Sequence, residues 1–95
     1  MRVLVVTGTR ADWGLLRPVV SALTSAPDIE PVLAVTGQHL APGNALPDAK
    51  QIDHRIDMGI SDDDSAAALG IAMGRGVAGM AAVLEADRPD LMLVL

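Results

Sequence analysis

The 95-residue sequence predicts an α/β fold, in which a parallel β-sheet carries helices on both faces. Three observations lead there. Short, wholly apolar runs rich in β-branched residues recur, which is the pattern of strands buried on both faces. Between them lie segments whose apolar residues repeat at helical spacing. Clusters of Gly, Pro, Asn and Asp separate the two kinds, giving the order β-α-β-loop-β-α-β.

Residues 3–7 form the first apolar run, closed by Gly8. Leu16, Val19, Val20 and Leu23 follow at i, i+3, i+4 and i+7, one face of a helix. Pro18 lies inside that face and lacks a backbone donor, so the regular helix either starts near it or bends there. Ser25, Ala26, Pro27 and Asp28 end the helix, and residues 31–36 form a second buried strand closed by Gly37. Residues 38–54 are irregular, marked by Pro42, Gly43, Asn44 and Pro47, with room for a helical turn at 48–52. Residues 55–58 read as a weaker third strand. Ser61 followed by Asp62, Asp63 and Asp64 reads as a helix start, a capping hydroxyl and then acids against the positive end of the dipole. Leu69, Met73, Val77, Met80 and Leu84 mark the expected buried stripe. Pro89 and Asp90 stop this helix, and Leu91 to Leu95 form a fourth strand. Right-handed crossovers then give a Rossmann-like sheet of four strands in the order 3-2-1-4. Ligands of such sheets bind beyond the carboxyl ends of the strands, where the winding reverses between strands 1 and 4.

Composition narrows the function classes. The absence of Cys excludes disulfide scaffolds and Cys-based metal sites, and a reducing compartment fits. Trp13 is the only aromatic residue, so aromatic platforms for single-stranded nucleic acid are missing. Seven basic against twelve acidic residues leave a net charge of −5 and no basic surface for a duplex. The apolar run at the N-terminus is too short for a signal peptide. The apolar stretch from Ala66 is broken by four glycines and Arg75, short of the roughly 20 residues that span a bilayer. A cytoplasmic protein without nucleic-acid or membrane partners is therefore expected. The last five residues are all apolar, so residues 1–95 read as a partial domain cut inside a core strand at Leu95.

The loop Gly8-Thr9-Arg10-Ala11-Asp12-Trp13-Gly14 leaves the first strand at the expected crevice. Free backbone donors at the next helix and the guanidinium of Arg10 suit a phosphate or a carboxylate. The plain alternative is a strand–helix turn with a solvated Arg10 and with Asp12 as a cap. His39 leaves the second strand beside it, as a general acid–base, a donor to substrate, or a structural residue. His54 reads as a surface residue. Gly74-Arg75-Gly76-Val77-Ala78-Gly79 matches G-x-G-x-x-G but falls in mid-helix, where no phosphate could reach free donors. It reads instead as a smooth face packed close to the sheet. Three consecutive aspartates at a helix start do not converge on one point, so neither a metal nor a cofactor is expected.

Residues 6–14, Val-Thr-Gly-Thr-Arg-Ala-Asp-Trp-Gly, resemble the N-terminal signature of the hydrolysing UDP-N-acetylglucosamine 2-epimerases of sialic-acid and related nonulosonic-acid pathways. The non-hydrolysing branch usually carries Pro-Glu where this chain has Ala11-Asp12, and Trp13 replaces a usual Tyr or Phe. Pro18, the segment Val-Thr-Gly-Gln-His-Leu at 35–40, the acidic helix start and Arg88-Pro89-Asp90 also fall where that family has similar elements. The resemblance implies the first half of the N-terminal lobe of a two-lobed, GT-B-type enzyme. That enzyme would eliminate UDP from a UDP-sugar and add water, releasing an N-acetylmannosamine-type sugar. It implies Arg10 near the nucleotide phosphates, with Gly8, Thr9 and Gly14 beside it, and His39 near the sugar. The family's Gly-Asp-Arg motif and catalytic acids follow the strand matching Leu91 to Leu95. The catalytic residues are therefore expected after Leu95, with none inside the chain and no turnover from it alone. Two alternatives stand beside this reading: a lobe of a GT-B glycosyltransferase, and a non-enzymatic α/β module that associates through its exposed sheet edge. Homo-oligomer formation is left open.

Overall fold

The computed structural model describes all 95 residues. Its elements are β1 (Arg2–Thr7), α1 (Arg10–Ser25), β2 (Glu30–Thr36), a 3-10 turn (Gly37–Leu40), β3 (His54–Ile56), α2 (Ala66–Asp87) and β4 (Leu91–Leu93). The four strands form one all-parallel sheet in the order β3-β2-β1-β4, as the sequence predicts.

The unbroken apolar strands are explained by burial on both sides. Val3 and Val5 of β1 and Leu33 and Val35 of β2 point to one face and pack on Trp13 and Leu16 of α1. Leu4, Val32, Ala34 and Ile56 point to the other face and pack on Val83 of α2. Each of these residues thus meets a helix whichever way it points. At the opposite end of the sheet from the site, the Arg2 backbone N–H donates to the Asp90 carboxylate at 2.7 Å. The Asp90 N–H returns a bond to the Arg2 carbonyl at 2.8 Å.

Several expectations are corrected. Helix α1 begins at Arg10 and runs through Pro18 to Ser25, so the proline does not mark its start. Gly14, four residues before the proline, and Pro18 itself are both exposed, so water can serve the carbonyl that the proline leaves unbonded. Leu16, Val20 and Leu23 face the core, whereas Val19 turns outward. No helical turn forms at 48–52, and the one regular turn of this region is at Gly37–Leu40. Strand β3 starts one residue earlier than expected. His54 is half-buried, its ring bonded to the Asp87 carboxylate, and so ties β3 to the end of α2.

The fourth strand does not reach Leu95. It is regular only over Leu91–Leu93, and its pairing with β1 ends at Val5 opposite Leu93. Val94 and Leu95 lie past the strand and are exposed, so Leu95 is not the buried core residue that the apolar run suggested. The physical reason is that β4 is an edge strand. Only β1 flanks it, and no helix of these residues covers its end.

The second helix differs most. It starts at Ala66, capped by the Ser65 hydroxyl, which accepts from the Ala68 N–H at 3.2 Å. Ser61 and Asp63 instead accept backbone N–H groups two residues ahead, at 3.3 and 3.0 Å. Such local side-chain bonds favour turns over helix, so the acidic run precedes the helix rather than opening it. The buried face also lies elsewhere. Ala72 and Val83 are buried, with Gly76, Gly79 and Met80 partly so, while Leu69, Met73, Val77 and Leu84 are exposed. A Cβ on Gly79 would lie 2.5 Å from Ile56 Cγ2, and one on Gly76 3.2 Å from Met58 Cε. The helix docks by its smoothest side because only that side comes close to the strands. By length and composition α2 is also apolar enough to cross a membrane, contrary to expectation, with a mean hydropathy of 1.6 over its most apolar window. Once the helix is continuous, its alanines and glycines no longer interrupt it. In this fold it lies against the sheet.

The glycines of α2 make a paired prediction. Gly74→Ala meets nothing within 4 Å and is expected to stabilise the chain by up to about 1 kcal/mol through helix propensity. Gly79→Ala drives a methyl into the stiff, buried Ile56 and is expected to destabilise it by about 1–3 kcal/mol. Urea denaturation of both variants checks the opposite signs.

Candidate functional site

The site is built where β1 and β2 end side by side. Thr7, the last residue of β1, has no solvent exposure. Thr9 caps α1, its hydroxyl accepting the Asp12 N–H at 3.1 Å, while the Asp12 carboxylate accepts the Gly8 N–H at 3.3 Å. This reciprocal cap fixes the turn that presents Arg10. The N–H groups of Arg10 and Ala11, in the first turn, have no partner within the helix.

The exit from β2 locks onto this turn. Gly37 has φ +60, and a Cβ there would lie 3.0 Å from the Gly8 carbonyl oxygen. A side chain at this position is therefore strained both by backbone conformation and by the nearby carbonyl. Two residues on, the His39 N–H donates to the same Gly8 oxygen at 3.2 Å. His39 is only 4% exposed, and its ring Nε2 lies 2.9 Å from the Thr7 hydroxyl.

Arg10 and His39 share one cleft of about 240 Å3, lined also by Trp13, Ala45, Leu46, Pro47 and Asp48. Arg10 is exposed and paired with no carboxylate. Of the residues expected here from sequence, Gly8 and Thr9 form the turn below the cleft, and Arg10 and His39 line it. Gly14 does not. It lies one helical turn beyond Arg10, exposed, with nothing within 4 Å of a Cβ. A larger groove of about 650 Å3 lies between α1 and residues 48–53. It reaches Thr24 and Pro31, toward the amino ends of the strands and away from the end where such sheets bind ligands.

The cleft has a wall that sequence reasoning missed. The Trp13 indole N–H donates to Asp48 Oδ1 at 2.7 Å, and Arg17 pairs with Asp48 Oδ2 at 3.2 Å. Pro47 is buried beside them. Farther along, Asp53 accepts the Leu33 N–H at 2.8 Å and its own N–H donates to the Leu33 carbonyl at 2.9 Å. The irregular segment is thus pinned at both ends. The only local hint was a lone Trp in the first turns of a helix, whose indole N–H needs an acceptor when buried. Nothing in the sequence names a partner 35 residues away. The Trp13 indole bond chiefly holds the Asp48 carboxyl below the usual carboxylate range; desolvation pushes the other way, and the Arg17 charge adds a smaller lowering.

No family model matches the chain. The UDP-N,N'-diacetylbacillosamine 2-epimerase (hydrolyzing) of Legionella pneumophila is 37% identical over 100 residues, spanning 99% of this chain. Along nearly its whole length the chain is similar to part of a UDP-sugar 2-epimerase. The UDP-N-acetylglucosamine 2-epimerase of Neisseria meningitidis is 26% identical over 95 residues, or 98% of the chain. A polysialic acid biosynthesis protein, P7, of Escherichia coli is 43% identical over 47 residues, 47% of the chain and 12% of its own length. The chain spans 26% and 25% of the two epimerases' length, about a quarter.

Asp48 yields a pH prediction. Its folded pKa lies below the unfolded value near 3.8, so its contribution is present above that value and is lost as pH falls through the folded one. Asp48→Asn is expected to remove this acid-dependent part of the stability while keeping an acceptor for the indole. Denaturation followed by the fluorescence of Trp13, the only Trp, at pH 2–6 checks it.

Proposed function

We propose that residues 1–95 form the first half of the nucleotide-binding lobe of a hydrolysing UDP-sugar 2-epimerase, with the rest of that domain and a second, GT-B-type lobe outside the chain. The observation that carries this reading is the cleft itself. An unpaired arginine at a helix N-terminus and a buried, hydrogen-bonded histidine converge beyond the carboxyl ends of β1 and β2. The likeness to a hydrolysing epimerase along nearly the whole chain supports it.

In this reading Arg10 and the free N–H groups of the first turn of α1 hold the diphosphate. Elimination breaks the bond between the sugar C1 and the diphosphate oxygen as the C2 proton is removed, so negative charge grows on the leaving UDP. A fixed guanidinium and a helix N-terminus stabilise that growing charge more than the bound ground state. Water then adds to the glycal-type intermediate, giving the free N-acetylmannosamine-type sugar and UDP. Gly8 and Thr9 position Arg10, Gly14 leaves open space one turn beyond it, and His39 faces the sugar. The groups that remove and return protons are assigned to the enzyme beyond Leu95, so the chain alone does not turn over. The working location is the cytoplasm, and the whole enzyme is free to form homo-oligomers.

A second reading draws on another observation. Leu91 and Met92 on the open edge of β4, Val94 and Leu95 just past it, and Leu69, Met73 and Val77 on α2 are exposed apolar residues without a partner. They fit an α/β module that associates through its sheet edge.

Arg10→Ala in a complete relative carrying this segment tests the first reading. Loss of one charge-assisted contact of about 1.5–3 kcal/mol is expected to lower kcat/KM about 10- to 150-fold. Unchanged nucleotide affinity and turnover would remove Arg10 from its assigned role. Product analysis separates the related lobe of a glycosyltransferase: free N-acetylmannosamine-type sugar supports hydrolysis, and transfer to an acceptor contradicts it.

A further inference from the structure

The His39 ring is held by a group to which no role has so far been given. Thr7 is fully buried, and its hydroxyl has one proton to place. Two acceptors are in reach, His39 Nε2 at 2.9 Å and the Thr9 carbonyl at 3.5 Å. Hydroxyl bonds to oxygen centre near about 2.7–2.8 Å, so the second contact is weak. The Thr9 carbonyl also already accepts the Trp13 N–H at 3.0 Å. A buried hydroxyl left without a good acceptor costs about 1–3 kcal/mol, which favours donation to the ring nitrogen. A ring nitrogen that accepts carries no proton, and the ring proton then sits on the other nitrogen.

We propose that Thr7 is a positioning residue that fixes His39 as a neutral ring protonated on Nδ1, so that this nitrogen donates a hydrogen bond into the cleft beside Arg10. Nε2 is engaged by Thr7, and Nδ1 is the ring nitrogen left for a ligand. The His39 backbone is already anchored to Gly8, so the Thr7 bond sets the ring rather than the turn. A neutral donor next to Arg10 suits a substrate oxygen, because it adds directionality without a second positive charge. An unconstrained histidine in water prefers its proton on Nε2, so the buried threonine reverses that preference. The chemical use of this donor rests on the proposed function, whereas the tautomer does not.

The test is long-range 15N–1H NMR of the 95-residue chain labelled at histidine, at a pH where both rings are neutral. His39→Gln assigns the two histidines. In the unmodified chain, the His39 Nδ1 is expected at the protonated and Nε2 at the unprotonated nitrogen position. Thr7→Ser should preserve that pattern, and Thr7→Val should exchange the two. A proton found on Nε2 in the unmodified chain overturns the proposal, as does a Thr7→Val spectrum that keeps it on Nδ1. If Thr7→Val does not fold, the unmodified and Thr7→Ser spectra decide: both on Nδ1 supports the assignment and either on Nε2 overturns it. No nucleotide is needed, so this result and that of Arg10→Ala fail independently.

Discussion

The contact on which the rest of the site depends is the close approach of two turns, one leaving β1 and the other leaving β2. The Gly8 carbonyl sits where a Gly37 side chain would have to go, and the same oxygen accepts the His39 N–H. Parallel register makes this approach unavoidable. Thr7 is aligned with Val35, so both chains leave the sheet at one level and must turn within a residue or two of each other. Widening the gap by one methyl would move the His39 ring away from Thr7 and open the cleft beside Arg10. Arg10 stands at the head of α1 because Thr9 caps it, and Thr9 caps it because Gly8 has already left the strand.

The two helices use their sequences in opposite ways. Helix α1 places large side chains, Trp13 and Leu16, against the sheet and offers its N-terminus to the cleft. Helix α2 places alanine and glycine against the sheet and turns its large apolar side chains outward. Close docking by small residues holds the helix near β3 and leaves its opposite face exposed. The open edge of β4 has the same character. On the proposed reading both surfaces are interior ones in the complete enzyme. That accounts for how a chain with only 15 of 95 residues buried can carry a 51% hydrophobic composition.

Strand order, helix sides and the meeting of Arg10 with His39 were legible in the sequence because each follows from local pattern plus handedness. Apolar runs gave the strands, 3.6-residue spacing gave the first helix, and the right-handed crossover then left one sheet order. The α2 face was misread for a physical reason. Hydrophobic periodicity assumes that the largest apolar residues face the largest buried surface, and on the proposed reading a partial lobe breaks that assumption. Leu69, Met73 and Val77 keep the correct period but point to a surface that these residues do not cover. The same assumption carried the fourth strand to Leu95, two residues past its last pairing with β1. The start of α2 was misread because Ser61 and Asp63 fit a turn as well as a cap, and pattern alone does not choose. The Trp13–Asp48–Arg17 contact and the Thr7–His39 bond were illegible because each joins residues more than thirty positions apart through single polar atoms.

Those two unforeseen contacts decide what the cleft can hold. A chain of net charge −5 is an unpromising host for a diphosphate, and Asp48 lies on the cleft wall itself. Distance and screening remove most of the objection from net charge. At physiological salt, charges beyond about 8–10 Å act weakly across solvent. The nearby carboxylates matter more, and each is already engaged. Asp12 accepts the Gly8 N–H, while Asp48 is held between the Trp13 indole and the Arg17 guanidinium. Arg17 therefore offsets the one acid on the cleft wall without lining the cleft, and on the proposed reading leaves Arg10 as the charge an anion meets. A neutral His39 fits the same economy of charge. One guanidinium and one directional donor discriminate among anions by geometry, where two cations side by side would favour any of them.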